Sequence, residues 1–336
     1  MQRYFLGNNS GYGFWNNYDD ELKSKDRVAL LKGGPGTGKS TLMKKVADAA
    51  KKAGHDIELW YCSGDPQSLD GVYIKDTKRA VVDATAPHAS GVDIPIVKDK
   101  IFDLAQCLKP HKLKGVREDI EKLMYCKKQY FMRAYQHLKC ALCHLQNKFE
   151  LEKQGADDIS VRATAYKIAD VLRREKGDVK SNRKVFSQAI CPSGESKYYD
   201  HLRNVKIYLV DGCERVMSVF FDELSKLVDG CTLLQNPLDP TKYEGVLRGG
   251  VAAVADAGHF KNEVSERVNL GLFQKGAEDE AILSEQNDRM LQTAFAVQNL
   301  NLAKSMHEKI EEIFVKAADF SQSDKVAAQV IEFLLE

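Results

Sequence analysis

A glycine-rich segment between an apolar run and a helical pattern constrains this chain more than any other feature. Apolar residues 27–32 predict a short buried strand, and helical spacing of apolar and small residues follows from Leu42 to Ala50. The segment between them reads Gly33, Gly34, Pro35, Gly36, Thr37, Gly38, Lys39, Ser40 and Thr41. A strand, a glycine-rich turn and a helix in this order indicate an α/β fold.

The residue types in this segment are those that bind phosphate. Glycines let the backbone curl tightly, so that successive N–H groups and the start of the following helix face an anion. Lys39 would reach the β- and γ-phosphates, the Ser40 hydroxyl would bind Mg²⁺, and Thr41 would cap or assist nearby. The segment resembles the Walker A motif of P-loop NTPases, in the form common among ATPases, which implies ATP and Mg²⁺ as ligands. Residues 33–41 are called the phosphate loop below.

Such a site also needs an acidic residue at the end of a neighbouring strand. Residues 79–82 predict an apolar strand that ends at Asp83, where a carboxylate can hold Mg²⁺ together with Ser40. Many ATPases carry a glutamate directly after this acid to orient the attacking water, but Ala84 stands there in this chain. Three explanations stay open: the base lies elsewhere, hydrolysis is slow, or the phosphate acceptor is not water.

Three more polar residues follow predicted strands, where open α/β sheets place their ligands. Asp65 and Asp70 could hold Mg²⁺ or an acceptor group, and His88 could sense the γ-phosphate or relay a proton. A structural role in a turn is equally open for each of the three. The predicted catalytic set is Lys39, Asp83, Asp65 and His88. The sequence does not choose an arginine for phosphate stabilisation among Arg79, Arg117, Arg133 and Arg215.

The chain contains an internal repeat. Residues 3–5 resemble residues 184–186, residues 28–33 resemble 207–212, and Asp65-Pro66 recurs as Asp239-Pro240. The offset falls steadily along the chain, as small deletions in a diverged second copy would produce. The second copy has no G-K-[ST] element, and Asp211 and Glu214 would repel an arriving phosphate. We therefore predict a P-loop NTPase domain at residues 1–177 and a degenerate, nucleotide-free domain at residues 178–336.

Each copy also contains a long amphipathic pattern. Apolar residues recur at three- and four-residue steps from Val116 to Phe149 and, less regularly, from Leu283 to Ala317. These patterns predict two long helices. The helices could cover a sheet or form a helical hairpin, or they could be protruding arms that bind a partner protein or a second copy of the chain.

Two short elements carry a wider resemblance. Residues 62–70 fit the pattern C-x-x-D-P-x-S-L-D, and residues 83–88 fit D-x-T-A-P-H. With these elements and the phosphate loop, the chain resembles, over nearly its whole length, an uncharacterised family of bacterial duplicated (tandem) P-loop ATPases. The resemblance implies a duplicated α/β P-loop NTPase fold, a mostly parallel sheet and ATP binding. Members of that family often keep a phosphate loop in the second half as well, and this chain departs from them there.

Composition argues against several other classes of protein. The 336 residues contain 49 Lys and Arg against 48 Asp and Glu, so a broadly basic nucleic-acid surface is not indicated. No apolar stretch approaches the ~18 residues of a membrane span, and no secretory signal is visible at the start. The eight cysteines are dispersed, unlike those of a small disulfide scaffold. A cytoplasmic location is expected.

Three functions are compatible with the sequence. The leading one is Mg²⁺-dependent ATP binding and slow hydrolysis at the phosphate loop, coupled to movement of the helical arms or of a bound partner. The second is a phosphotransferase in which Asp65, Asp70 or His88 positions a small acceptor instead of water. The third is a non-catalytic, ATP-dependent scaffold whose helices bind protein or nucleic acid.

Overall fold

The computed structural model describes residues 1–85, 91, 93–177, 181–255, 264–275 and 279–336. In the first half of the chain the helices and strands are β1 (Gln2–Tyr4), β2 (Gly7–Ser10), β3 (Gly13–Asn16), α1 (Tyr18–Lys23), β4 (Arg27–Lys32), α2 (Lys39–Lys52), β5 (Ile57–Tyr61), β6 (Leu69–Ile74), β7 (Arg79–Asp83), β8 (Asp99–Asp103), α3 (Arg117–Lys153) and α4 (Asp158–Arg173). In the second half they are β9 (Arg183–Val185), β10 (Gln188–Cys191), β11 (Gly194–Lys197), β12 (Lys206–Asp211), α5 (Glu214–Leu227), β13 (Thr232–Gln235), β14 (Tyr243–Arg248), β15 (Val251–Ala255), β16 (Glu266–Asn269), α6 (Glu280–Ala317) and α7 (Phe320–Leu335).

Twelve of the sixteen described strands form two mixed sheets of six strands with the same strand order, and the other four form the hairpins β2-β3 and β10-β11. The first sheet runs β1-β5-β6-β7-β4-β8, and the second runs β9-β13-β14-β15-β12-β16. In each sheet the third strand, β6 or β14, is antiparallel to its neighbours, and the other pairings are parallel. The α/β class and the mostly parallel sheet are therefore confirmed. Two sheets with one strand order suggest the duplication that the sequence repeat predicts.

The two halves meet through residues that correspond to each other in the repeat. The Phe5 N–H donates to the Phe186 carbonyl over 2.9 Å, and the Phe186 N–H donates to the Phe5 carbonyl over 2.9 Å. Any antiparallel bridge contains such a reciprocal pair, and between corresponding residues it suggests an approximate two-fold relation of the halves at this point.

The two sheets pack face to face, and helices cover their outer faces. Between the sheets, Leu30 and Val82 of the first share one buried cluster with Leu209 and Val254 of the second. The outer face of the first sheet is covered by α2 and α7, and that of the second by α4 and α5. Since both faces of each sheet are buried, the central strands are continuous apolar runs.

The covering helices are exchanged between the halves. Val326, Val330 and Leu334 of α7 belong to the core of the first sheet, although α7 follows the second sheet in the sequence. In return, Val161 and Leu172 of α4 belong to the core of the second sheet, although α4 precedes it. Packing therefore crosses the expected boundary near residue 177 in both directions, and the domains 1–177 and 178–336 stay a prediction.

The two predicted long helices are present and pack against each other in antiparallel fashion. His137 Nδ1 of α3 lies 2.8 Å from Gln292 Oε1 of α6, and His144 Nδ1 lies 2.7 Å from Glu285 Oε2. With 37 and 38 residues, each helix is about 55 Å long at ~1.5 Å per residue. Their buried residues form a cluster with Ile190, next to the two hairpins. No described helix is long and apolar enough to cross a membrane.

Candidate nucleotide site at the phosphate loop

The phosphate loop connects β4 to α2 through two residues in the left-handed region of backbone conformation. Gly36 has a φ of 71° and Gly38, the N-cap of α2, has a φ of 88°. Side chains other than glycine are strained in this region, so these two positions explain why the loop is rich in glycine. The first turn of α2 contains no acidic residue, which leaves the positive end of the helix dipole available to an anion.

Lys39 and Asp83 lie next to each other at the base of the loop. Lys39 Nζ donates to the carbonyls of Gly33 and Gly34 over 2.6 and 3.0 Å and lies 3.5 Å from Asp83 Oδ2. The reason is the sheet: β4 and β7 are adjacent parallel strands, with Leu31 opposite Asp83 in register. Parallel neighbours end at the same edge, so the lysine after one strand meets the acid that ends the other.

Thr85 fixes the position of Asp83, and sequence reasoning did not single it out. The Thr85 N–H donates to Asp83 Oδ1 over 2.8 Å, and its hydroxyl donates to the Gly33 carbonyl over 3.0 Å. An aspartate that accepts from the amide two residues later is a common turn element, so the spacing in D-x-T was an available signal. Thr85 therefore ties the loop to the carboxylate.

Three of the remaining predicted site residues, Ser40, Asp65 and Asp70, lie at or beside the loop between β5 and β6. Ser40 Oγ accepts from the Leu69 N–H over 3.0 Å, which places the start of α2 beside that loop. Asp65 accepts from Lys304 over 3.0 Å, and Asp70 is buried and accepts from the Tyr18 hydroxyl over 3.2 Å. His88 lies outside the described residues.

Helix α6 from the second half of the chain lies directly on the phosphate loop. The backbone N–H of Gly36 helps to lower the pKa of the Glu311 carboxylate, which places the two groups close together. A methyl group added to Gly36 would lie 2.7 Å from the Glu311 carbonyl oxygen and 3.1 Å from Val315 Cγ2. A methyl group on Gly34 would lie 3.9 Å from the Phe314 ring. No local sequence signal pointed to these residues, because they are far from the loop in the chain.

Glu311 is one of a group of charged residues on this side of the loop. His307 Nε2, 3.6 Å from Glu311 Oε1, lowers the pKa of Glu311, and the Gly36 amide lowers it further, while burial and the Asp65 carboxylate oppose both effects. The same helix contributes Lys304, which pairs with Asp65 at 3.0 Å. Glu311 is therefore ionised at neutral pH, and a carboxylate faces a loop whose residue types suit an anion.

The corresponding loop of the second half is filled by an ionic network. Glu214 at the start of α5 pairs with Lys148 of α3 at 2.8 Å and with Arg289 of α6 at 2.6 Å. Lys148 also lies 3.6 Å from Glu152 of the same helix, which is buried. The long helix of one half therefore contacts the loop of the other half at both ends of the helix pair. The ionic network supports the prediction that the second half binds no nucleotide.

The four arginines considered from the sequence are engaged at other positions. Arg79 donates to the Leu334 carbonyl, and Arg117 donates to the Glu121 carboxylate. Arg133 lies over the Tyr130 ring, and Arg215 donates to the Asp158 carboxylate. A cation that does approach the site from a distant part of the chain is Lys304, which pairs with Asp65 and which sequence reasoning missed.

The donor set at the loop fits Mg²⁺ of the kind that P-loop proteins bind. Within the described ranges there is no cluster of three or more His, Cys, Asp or Glu side chains that could hold a metal. A Mg²⁺ ion bound with a nucleotide does not need one, because phosphate and water oxygens complete its shell around one or two protein ligands. Ser40 supplies a hydroxyl next to Lys39 in the chain, and Asp83 supplies a carboxylate 3.5 Å from Lys39 Nζ, so the two residues suit that role.

A family model described as an AAA domain matches residues 16–66. The matched segment contains β4, the phosphate loop, α2 and β5. It identifies a domain of the P-loop NTPase type and suggests nucleotide binding and hydrolysis in general terms. No curated protein and no solved structure matches the chain. The match ends well before the second half, so the resemblance to tandem bacterial ATPases stays a prediction.

Proposed function

We propose that the chain binds ATP together with Mg²⁺ at the phosphate loop and hydrolyses it slowly. The observation that carries this proposal is the position of Lys39, 3.5 Å from Asp83 at the end of the adjacent parallel strand. A glycine-rich loop alone is a weak indication, but a loop, a lysine and a carboxylate at one sheet edge form the set that phosphoryl transfer uses.

Each residue of this set has a distinct task. The loop amides and Lys39 would bind the phosphates and stabilise charge that develops on them during transfer. Ser40 and Asp83 would hold Mg²⁺, which supplies neutralising charge when bound. Thr85 would keep Asp83 oriented through its amide, as it does in this structure. Lys39 exchanges its present carbonyl partners for phosphate oxygens, which are stronger acceptors.

Slow hydrolysis is favoured over efficient turnover because Ala84 replaces the glutamate expected after Asp83. Hydrolysis is also better supported than transfer to a small acceptor. Asp65 and Asp70, two of the acceptor-positioning candidates, already have partners in Lys304 and Tyr18.

Coupling to the long helices follows from the packing. Because α6 lies on the phosphate loop and α3 lies along α6, a change at the loop reaches both helices. This contact supports the coupling of nucleotide binding to movement of the helix pair.

Calorimetry with MgATP and a phosphate-release assay test the proposal. Lys39→Ala should abolish binding and phosphate release, whereas Lys52→Ala, at the exposed end of the same helix, should leave both unchanged. Wild-type protein that does not bind MgATP, or a Lys39→Ala variant with normal turnover, would remove the assignment. Phosphate release without any added acceptor distinguishes an ATPase from a phosphotransferase.

A further inference from the structure

We infer that Glu311 of α6 competes with nucleotide phosphate for the phosphate loop, so that binding of a nucleotide has to displace this helix. The inference rests on the proposed nucleotide site and adds a mode of regulation to it. It makes the second half of the chain a built-in inhibitor of the first.

The first argument is the position of the Glu311 carboxylate. The Gly36 N–H belongs to the loop whose amides would bind phosphate. It lies close enough to the Glu311 carboxylate to help lower the pKa of that group, and the Glu311 backbone packs directly against Gly36. A carboxylate is an anion with oxygen acceptors, so it satisfies this amide in the way that a phosphate oxygen would. A phosphate at the same amide would also be repelled by the carboxylate at close range.

The second argument is space. The α6 backbone packs so closely against Gly36 that a methyl group added to this glycine would lie 2.7 Å from the Glu311 carbonyl oxygen. Val315 Cγ2 would lie 3.1 Å from the same methyl group, so the Val315 side chain also covers this side of the loop. A ligand that approaches Gly36 from this side therefore requires α6 to move.

The third argument concerns the contacts that hold α6 in place and that would change if α6 moved. Lys304 ties α6 to Asp65 at 3.0 Å, and His307 lies 3.6 Å from Glu311 and 3.4 Å from Lys127 of α3. Burial lowers the pKa of Lys127 of α3, and the nearby Glu311 carboxylate partly opposes this effect. Displacement of Glu311 therefore changes contacts with both Asp65 and α3.

The second half of the chain shows a similar arrangement with a buried side chain. There burial raises the pKa of Glu152 of α3, and the Arg215 backbone N–H, beside a loop without phosphate chemistry, partly opposes this effect. The Glu152 side chain is 1% exposed, whereas the Glu311 side chain is 43% exposed. A carboxyl group from the long helix of the opposite half therefore lies at both loops, and at the phosphate loop it remains accessible to solvent.

Glu311→Gln tests the inference, with Glu312→Gln as the matched control. Both substitutions remove one negative charge from the same turn of α6, but Glu312 is exposed to solvent. Because the Glu311 side chain is 43% exposed, solvent screens part of its charge. We expect Glu311→Gln to bind MgATP about two- to fivefold more tightly than wild type in calorimetry. Glu312→Gln should bind as wild type does.

A second measurement follows the helix directly. Hydrogen exchange in residues 304–315 should increase when MgADP or MgATP is added to wild-type protein, and should not change in Lys39→Ala. Increased exchange in this segment is the expected sign that α6 leaves the loop.

The outcomes separate the inference from the proposed function. Wild type and Glu311→Gln that both ignore MgATP would overturn the nucleotide site itself. Wild type that binds MgATP with the same affinity as Glu311→Gln would overturn the competition and leave the site intact. Unchanged affinity with lost phosphate release would identify Glu311 as a catalytic group and also overturn the competition.

Discussion

Because α6 packs against the phosphate loop, we expect the same substitution to have different effects at two glycines of this loop. Gly36 and Gly38 both have positive φ values, 71° and 88°. An added methyl group at Gly36 meets the α6 backbone at 2.7 Å, whereas at Gly38 nothing lies within 4 Å. Gly38→Ala therefore reports backbone strain alone, and Gly36→Ala reports the same strain together with the contact.

The magnitudes follow from these two terms. An alanine in the left-handed region costs about 1–2 kcal/mol, which both variants share. Inserting a methyl group into a closely packed contact costs about 1–3 kcal/mol more, and here the nearest neighbour is backbone rather than a flexible side chain. Gly36→Ala should therefore lower the free energy of unfolding by about 2–5 kcal/mol, and Gly38→Ala by about 1–2 kcal/mol.

Urea denaturation without nucleotide measures this difference. The chain has two tryptophans, Trp15 in β3 and the buried Trp60 in β5, and both belong to the half that carries the loop. Their fluorescence should follow the unfolding of that half. A Gly36→Ala variant as stable as Gly38→Ala would show that α6 is not seated on the loop in solution. The competition by Glu311 would then lose its structural basis.

Three further predictions concern the metal, the core and pH. Asp83→Asn should weaken the Mg²⁺ dependence of nucleotide binding, and an unchanged Mg²⁺ titration would place the metal carboxylate elsewhere. Arg183→Met should lower the free energy of unfolding by about 3–5 kcal/mol, measured in urea, because Arg183 pairs with the buried Glu21 at 2.8 Å and with the buried Glu58. Burial lowers the pKa of His201 to about 3. As the pH falls below the ordinary pKa of histidine, the unfolded state therefore binds a proton that the folded state does not bind. Wild type should therefore lose about 2 kcal/mol of stability between pH 7.5 and pH 5 that His201→Phe keeps, and equal losses would contradict this.

The phosphate loop could be located from sequence because its structure is local. The strand, the glycines and the helix are contiguous, and each residue type acts on its own backbone or on the next turn. The position of Asp83 was predictable for a related reason, since parallel strands end at one edge of a sheet. The two long helices were also predictable, because amphipathic spacing is a property of the segment itself.

The partners of those helices were not predictable in the same way. An apolar face records that a helix is covered, but not by what, so the periodicity of α4 and α7 did not reveal that they cover the opposite sheets. The sequence left open whether α3 and α6 form a hairpin or protruding arms. The structure pairs them with each other.

The amino-acid sequence by itself therefore determined the phosphate-binding chemistry, which depends on neighbouring residues and on a short strand register. Only the tertiary structure decided that Glu311 and Lys304 lie at the loop that sequence analysis assigned to the first half alone. The physical reason is that a contact across more than two hundred residues depends on how the halves pack. The exchange of helices around an approximate two-fold axis sets that packing, and it brings a carboxylate of one half to the amides of the other.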